Sequence, residues 1–170
     1  MNSKRLIALA GLIAAAAVVG PAGATTYGTQ GGAACHPTYP YPDSSATKLY
    51  HSENGLTTND TASAKFVNCP IPRSNGLSST GLSSAYVDMK DGTYGTSYCW
   101  LNAFDEYGNQ LPGGSGTKYS GGAGNHEISF GSIAASDPWG FYGIFCALGA
   151  VTVPNPNNYD IIYSYQWAER

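Results

Sequence analysis

The sequence predicts an all-β fold, a single jelly-roll-like β-sandwich of about eight antiparallel strands, and three observations lead there. Only 11% of its 170 residues are charged, while 22 glycines and 13 tyrosines, with many Ser, Thr and Asn, supply polar atoms without formal charge. Such residues suit turns and half-buried strands rather than long helices. Patches of period-two hydrophobicity recur between turn signals, at a spacing that fits a sandwich better than a parallel α/β sheet. No stretch carries a convincing amphipathic helical pattern. The same composition excludes other classes, since no run is basic enough to follow nucleic-acid phosphates, no heptads persist and glycine has no triplet period.

Taken in order, the chain opens with Lys4 and Arg5, an apolar run from Leu6 to Val19 and the small residues Ala22, Gly23 and Ala24. This is the layout of a cleaved secretory signal over residues 1–24. Its apolar run falls short of the roughly 20 residues a spanning helix needs, so no membrane span is expected once it is removed. The alanine-rich core of this segment suggests a bacterial source, and the expected destination is the periplasm, the cell surface or the medium. Cleavage takes away two basic residues and no acid, so the net charge of −3 becomes more negative, and nucleic acids and anionic membranes would both be mildly repelled. Residues 25–46, with Gly31, Gly32, Pro37, Pro40, Pro42 and Asp43, lack any period and read as an extended arm over the core. Residues 47–170 show no further composition shift and read as one sandwich domain.

Eight strands are expected within that domain: Thr47 to His51, Lys65 to Cys69, Ser84 to Met89, Ser97 to Phe104, Gly116 to Ser120, His126 to Ile133, Gly140 to Leu148 and Asp160 to Trp167. Asn54-Gly55, Asn75-Gly76, Asp91-Gly92 and Gly108-Asn109 supply residues tolerant of positive φ between them. In Ser97 to Phe104, alternation puts Cys99, Leu101 and Ala103 on one face and Tyr98, Trp100, Asn102 and Phe104 on the other. In Gly140 to Leu148, Tyr142, Ile144, Cys146 and Leu148 oppose Phe141, Phe145 and Ala147. Apolar bulk on both faces suggests central strands covered on both sides. In the last strand Ile161, Tyr163, Tyr165 and Trp167 share a side, opposite Asp160, Ile162, Ser164 and Gln166.

Four cysteines, Cys35, Cys69, Cys99 and Cys146, all follow the signal, and an even count behind an export signal predicts two disulfides. Structural zinc would call for close cysteine pairs, which are missing. Three connectivities are open; Cys35–Cys69 with Cys99–Cys146 is favoured, because the first would pin the arm and the second would join two of the best strand candidates. No C-x-x-C is present to activate a thiolate.

Three short motifs carry a resemblance: Cys69-Pro70-Ile71-Pro72-Arg73, then Cys99-Trp100-Leu101 with Asp105-Glu106-Tyr107-Gly108, then Tyr142 to Leu148 with the ending Ile162 to Glu169. They are similar to motifs of a loosely defined group of small, uncharacterised secreted bacterial proteins. The resemblance covers about residues 65–169 and implies a disulfide-bonded β-sandwich. It implies no activity, substrate or catalytic residue. Gly149 stands where a proline would be expected, and the segment before residue 65 has no counterpart.

No catalytic, metal or cofactor signature is found. His36, His51 and His126 form no ligand-spaced unit. Asp88, Asp91, Asp105 and Glu106 lack the alternating order of a calcium loop. Pro112 to Lys118 lacks the G-K-[ST] ending of a phosphate loop, and no G-x-S-x-G elbow occurs. Eleven acids could pair as glycosidase carboxylates after folding, but none is singled out. The aromatic residues are the functional lead, being more numerous than a core of this size requires. Tyr39, Tyr41, Trp100, Phe141, Phe145, Tyr163, Tyr165 and Trp167 are the candidate binding residues, with plain core packing as the competing reading. The expectation is a secreted, non-enzymatic binding or assembly protein, with a glycan, an envelope protein or a second copy as partner. A secreted carbohydrate-active hydrolase and a toxin or inhibitor of a protein target are the alternatives.

Overall fold

In a computed structural model the described residues are 26–38, 49–52, 55–58, 64–73, 81–92, 96–134, 137, 139–150 and 159–170. The expected signal, Tyr39 and Tyr41 lie outside them. Twelve strands run through these residues: β1 (Thr26–Gly31), β2 (His36–Pro37), β3 (Leu49–Ser52), β4 (Gly55–Thr58), β5 (Lys65–Ile71), β6 (Gly81–Asp91), β7 (Tyr98–Phe104), β8 (Lys118–Tyr119), β9 (Gly124–Phe130), β10 (Ile133–Ala134), β11 (Phe141–Leu148) and β12 (Asp160–Glu169). A single 3-10 turn, Gly32–Ala34, separates β1 from β2. Among the described residues no helix is long and apolar enough to cross a membrane.

The strands make two antiparallel sheets. In the larger one, β12 pairs β6 on one side and shares its other edge between β4 and β1, while β6 shares its far edge between β9 and β10. The smaller sheet has the order β2-β5-β11-β7-β8. Consecutive strands repeatedly change sheet, as β5, β6 and β7 do. The inward residues of both sheets therefore meet in one core. Val87, Met89, Phe130 and Ile162 from the larger sheet and Val67, Leu101, Ile144 and Leu148 from the smaller one are all buried there. Two disulfides form, Cys35–Cys69 and Cys99–Cys146, as the sequence favours. The first ties the turn after β1 to β5, holding the crossing between the sheets. The second joins residues directly opposite each other on β7 and β11.

Several sequence expectations change. Part of the expected arm is built into the sandwich: β1 adds to the free edge of β12, and β2 adds to β5. The expected strand His126 to Ile133 is two strands, β9 and β10, and β4 pairs β3 as a hairpin that the pattern does not show. In β12 the pairing with β6 slips between Ile162 and Ser164. This bulge shifts the alternation by one residue, so Ile162 joins Tyr165 and Trp167 in the core instead of opposing them. Tyr165 and Trp167 are thus interior packing residues and not contact surface, and Trp167 is 7% exposed.

The two outer faces differ in chemistry. On the larger sheet Asp88 accepts hydrogen bonds from Ser164 Oγ at 2.6 Å and Gln166 Nε2 at 3.3 Å. Among the described residues its tyrosines Tyr27, exposed, and Tyr86 and Tyr163, half-buried, take part in no ring ladder like that of the smaller sheet. On the smaller sheet the outward residues of β7 and β11 are largely aromatic. Among the described residues no second layer lies over them: Tyr98, Trp100, Phe104 and Phe145 are half-buried and Phe141 is exposed. The expectation that these strands are covered on both sides is corrected accordingly.

Candidate functional site

Outward positions alternate as Tyr98, Trp100, Asn102 and Phe104 on β7, and as Phe141, Gly143, Phe145 and Ala147 on β11. The register sets Phe141 opposite Phe104, Gly143 opposite Asn102, Phe145 opposite Trp100 and Ala147 opposite Tyr98. The small residues of β11 leave room for the rings to lean together. A Cβ on Gly143 would lie 2.8 Å from Asn68 Oδ1 and 3.0 Å from the Phe145 ring, so the bare glycine lets that ring rest against the strand.

The result is a continuous ladder of rings. Tyr119 of β8 meets Tyr98 at 5.7 Å between centroids, Tyr98 stacks on Trp100 at 6.0 Å, and Trp100 stacks on Phe145 at 5.7 Å. Phe145 tilts against Phe104 at 5.6 Å, and Phe104 stacks on Phe141 at 5.0 Å. All lie in the favourable range for aromatic pairs. The Asn102 amide is oriented with its oxygen accepting the Trp100 indole N–H at 3.3 Å and its nitrogen donating to Leu101 O at 3.1 Å, which steadies the largest ring.

Beside the ladder the connection from β7 to β8 folds back along the strand. Leu111 N donates to Ala103 O, Ser115 N to Leu101 O, and Leu101 N to Ser115 Oγ, each at 2.8 Å. Between this loop and the ladder runs an open groove of about 430 Å³ lined by Tyr98, Trp100, Asn102, Gln110, Ser115, Gly116 and Thr117. Its lining is aromatic, amide and hydroxyl, with no ionisable acid or base apart from the tyrosine.

Acidic chemistry lies elsewhere. Asp91 and Asp160 are both 1% exposed, at the end of the sandwich where β6 stops and β12 starts. Asp160 accepts from Gly92 N at 2.7 Å, Ser97 Oγ at 2.9 Å and Gly149 N at 2.6 Å; Asp91 accepts from Ser97 N and from Ser120 Oγ. Burial raises the Asp160 carboxyl above the usual range, helped by the charge of Asp91 and opposed by the hydrogen bonds. This knot fastens the two sheets together, with both carboxylates buried. Among the described residues no group of three or more His, Cys, Asp or Glu could hold a metal ion; His36 is exposed on β2, and the His126 ring contacts Gly122 O.

Of the sequence candidates, Trp100, Phe141 and Phe145 come together on one face. Tyr163 sits half-buried at the β12 bulge on the other sheet, and Tyr165 and Trp167 are in the core. Tyr98, Phe104 and Tyr119 belong to the ladder but were not among the candidates. The first two share the face of Trp100 by alternation alone, whereas Tyr119 joins only because β8 pairs with the start of β7.

No family model and no curated protein matches the chain. Among solved structures it is similar to the CBM36-1 domain of a multidomain xylanase from the hindgut metagenome of Trinervitermes trinervoides, at 12% identity and a TM-score of 0.47, over 84% of this chain and 96% of that one. It is also similar to the low-affinity xylan-binding module CBM86 from Roseburia intestinalis, at 12% identity and a TM-score of 0.48 over 85% and 96%. A third similarity is to the xylan-binding module CBM15, at 11% identity and a TM-score of 0.49 over 86% and 97%.

Proposed function

We propose that this protein is a glycan-binding module that works outside the cytoplasm and holds neutral polysaccharide on the aromatic face of its smaller sheet without cleaving it. The continuous ladder of six rings on the outward face of the smaller sheet carries the reading, because ordinary sandwich packing would not gather them there. Sugar rings present flat apolar C–H faces edged by hydroxyls. A ladder of rings bordered by Asn102, Gln110, Ser115 and Thr117 meets both halves of that chemistry, stacking on the faces and hydrogen-bonding the edges. The groove carries no formal charge, which favours a neutral chain over a polyanion. Glycoside cleavage needs two carboxylates flanking the bond, and none is among the described residues that line this groove, while Asp91 and Asp160 are buried. The two disulfides suit an oxidising compartment.

The test is co-sedimentation with a panel of insoluble polysaccharides that includes xylan, cellulose, chitin and mannan, alongside a reducing-sugar assay. The wild type is expected to be retained by at least one and to release no sugar. Trp100→Ala should weaken retention about tenfold, since stacking of one flat ring is worth roughly 1–3 kcal/mol. Its circular dichroism should be unchanged, because Trp100 is only half-buried. Retention equal in wild type and Trp100→Ala, or sugar release that tracks the protein, would overturn the reading.

A further inference from the structure

Beyond the end of the ladder formed by Phe104 and Phe141, two loops meet. One, Asp105 to Asn109, leaves β7; the other, ending at Gly140, enters β11. They carry two strongly exposed rings, Tyr107 at 82% and Trp139 at 63%. A bare exposed ring on a mobile loop would mean little, but these loops are fastened. Asp105 accepts from Tyr107 N at 2.9 Å, Asn109 N at 2.7 Å and Asn109 Nδ2 at 2.8 Å. Asp137 accepts from Trp139 N at 2.9 Å and from Glu106 N of the other loop at 3.3 Å.

The anchoring continues into the interior. Arg73 Nη1 donates to Asp137 O at 3.0 Å and to Gly140 O at 3.1 Å, on either side of Trp139, and Arg73 Nε pairs with Glu169 Oε1 at 3.3 Å. Both side chains of that pair are almost fully buried. A Cβ on Gly140 would lie 2.1 Å from Phe104 O, so the turn sits directly on the end of β7. Two water-exposed rings are thereby held by a buried ion pair, a close backbone approach and a carboxylate shared between loops. Preorganisation of this kind lowers the ordering cost of binding.

We propose that Tyr107 and Trp139 form a second aromatic subsite continuing the ladder, so that the protein grips a neutral polysaccharide along an internal stretch several sugar rings long. The proposal rests on the reading of the ladder as a glycan surface. Seven residues of β7 at about 3.3 Å each already give a track of roughly 20 Å, and the loops lengthen it beyond what one or two sugars cover. Asp105, Glu106 and Asp137 border the subsite as hydroxyl acceptors and would repel uronate-rich chains. Hydrogen bonds from Asn109 hold the Asp105 carboxyl below its ordinary range, so it stays ionised.

Isothermal titration with the disaccharide and the hexasaccharide of the polysaccharide that the wild type holds best tests this. Trp139→Ala and Tyr107→Ala are each expected to weaken hexasaccharide binding about five- to tenfold and to leave the disaccharide unchanged, whereas Trp100→Ala weakens both. If both loop variants bind hexasaccharide like wild type while Trp100→Ala does not, the subsite is wrong and the ladder reading stands. Equal losses on both ligands in the loop variants would also overturn the subsite. A wild type that binds no polysaccharide of the panel ends both. Unchanged melting temperatures are expected for the two loop variants, because neither ring is packed inside.

Discussion

Tyr165 lies in the centre of the core, with its hydroxyl 2.6 Å from Gln30 Oε1 and 2.8 Å from Pro70 O, so that it bridges β12, β1 and β5. Burial pushes this phenol up to about 12 from the ordinary 10. The unfolded chain loses the proton near pH 10 while the folded chain keeps it, so the contribution to stability is full below pH 10 and disappears as pH rises to about 12. Urea unfolding across that window should show stability falling steeply in wild type and less steeply in Tyr165→Phe. At neutral pH that variant should be less stable by roughly 1–2 kcal/mol for the lost hydrogen bonding. Asp160 has the same sign at the other end of the scale: its raised carboxyl contributes fully below 3.8, and that contribution is lost as pH rises through its folded value. Neither residue is a binding group. Tyr165 was a binding candidate in sequence because an aromatic on a strand looks alike whether its face is wet or dry.

At the level of elements, β7 and β11 were legible in extent and phase, β12 in extent but not in phase, and β1 not at all. Alternation in β7 and β11 runs unbroken over seven and eight residues, and the structure keeps the same inward and outward sets. In β12 the bulge near Tyr163 breaks the phase, and no local signal marks it because the register is decided against β6. β1 reads Thr-Tyr-Gly-Thr-Gln-Gly, with no apolar period at all. It becomes a strand because β12 offers an unpaired edge and Gly28 lies against Trp167, where a Cβ would come within 2.1 Å of the ring. The Cys99–Cys146 bridge neighbours the Trp100 and Phe145 pair in the same register, so it braces the site as well as the sheet. Replacing both cysteines by alanine should lower unfolding stability by about 2–5 kcal/mol in chemical denaturation and weaken polysaccharide retention. The same replacement at Cys35 and Cys69 acts on the sheet crossing, away from the ladder.

For the molecule as a whole, the aromatic ladder on the outward face of the smaller sheet is the organising fact. Binding through stacking and neutral hydrogen bonds should be nearly insensitive to salt, whereas an ionic contact would be screened over a Debye length of about 10 Å at 0.1 M and ~3 Å at 1 M. Co-sedimentation repeated from low to molar salt checks this, with a marked fall in retention counting against a neutral groove. Composition and spacing by themselves determined the all-β class and the outward set of Tyr98, Trp100, Asn102 and Phe104, because strand alternation and turn chemistry are local, while of the three possible disulfide connectivities they only favoured the one that forms. Tertiary structure decided which aromatic residues are buried, which strands fill the free edges, and that the loops carrying Tyr107 and Trp139 meet through Asp137 and Glu106. Those outcomes depend on what lies across a sheet or over a face, and pairing between distant segments is written in no single stretch of the chain.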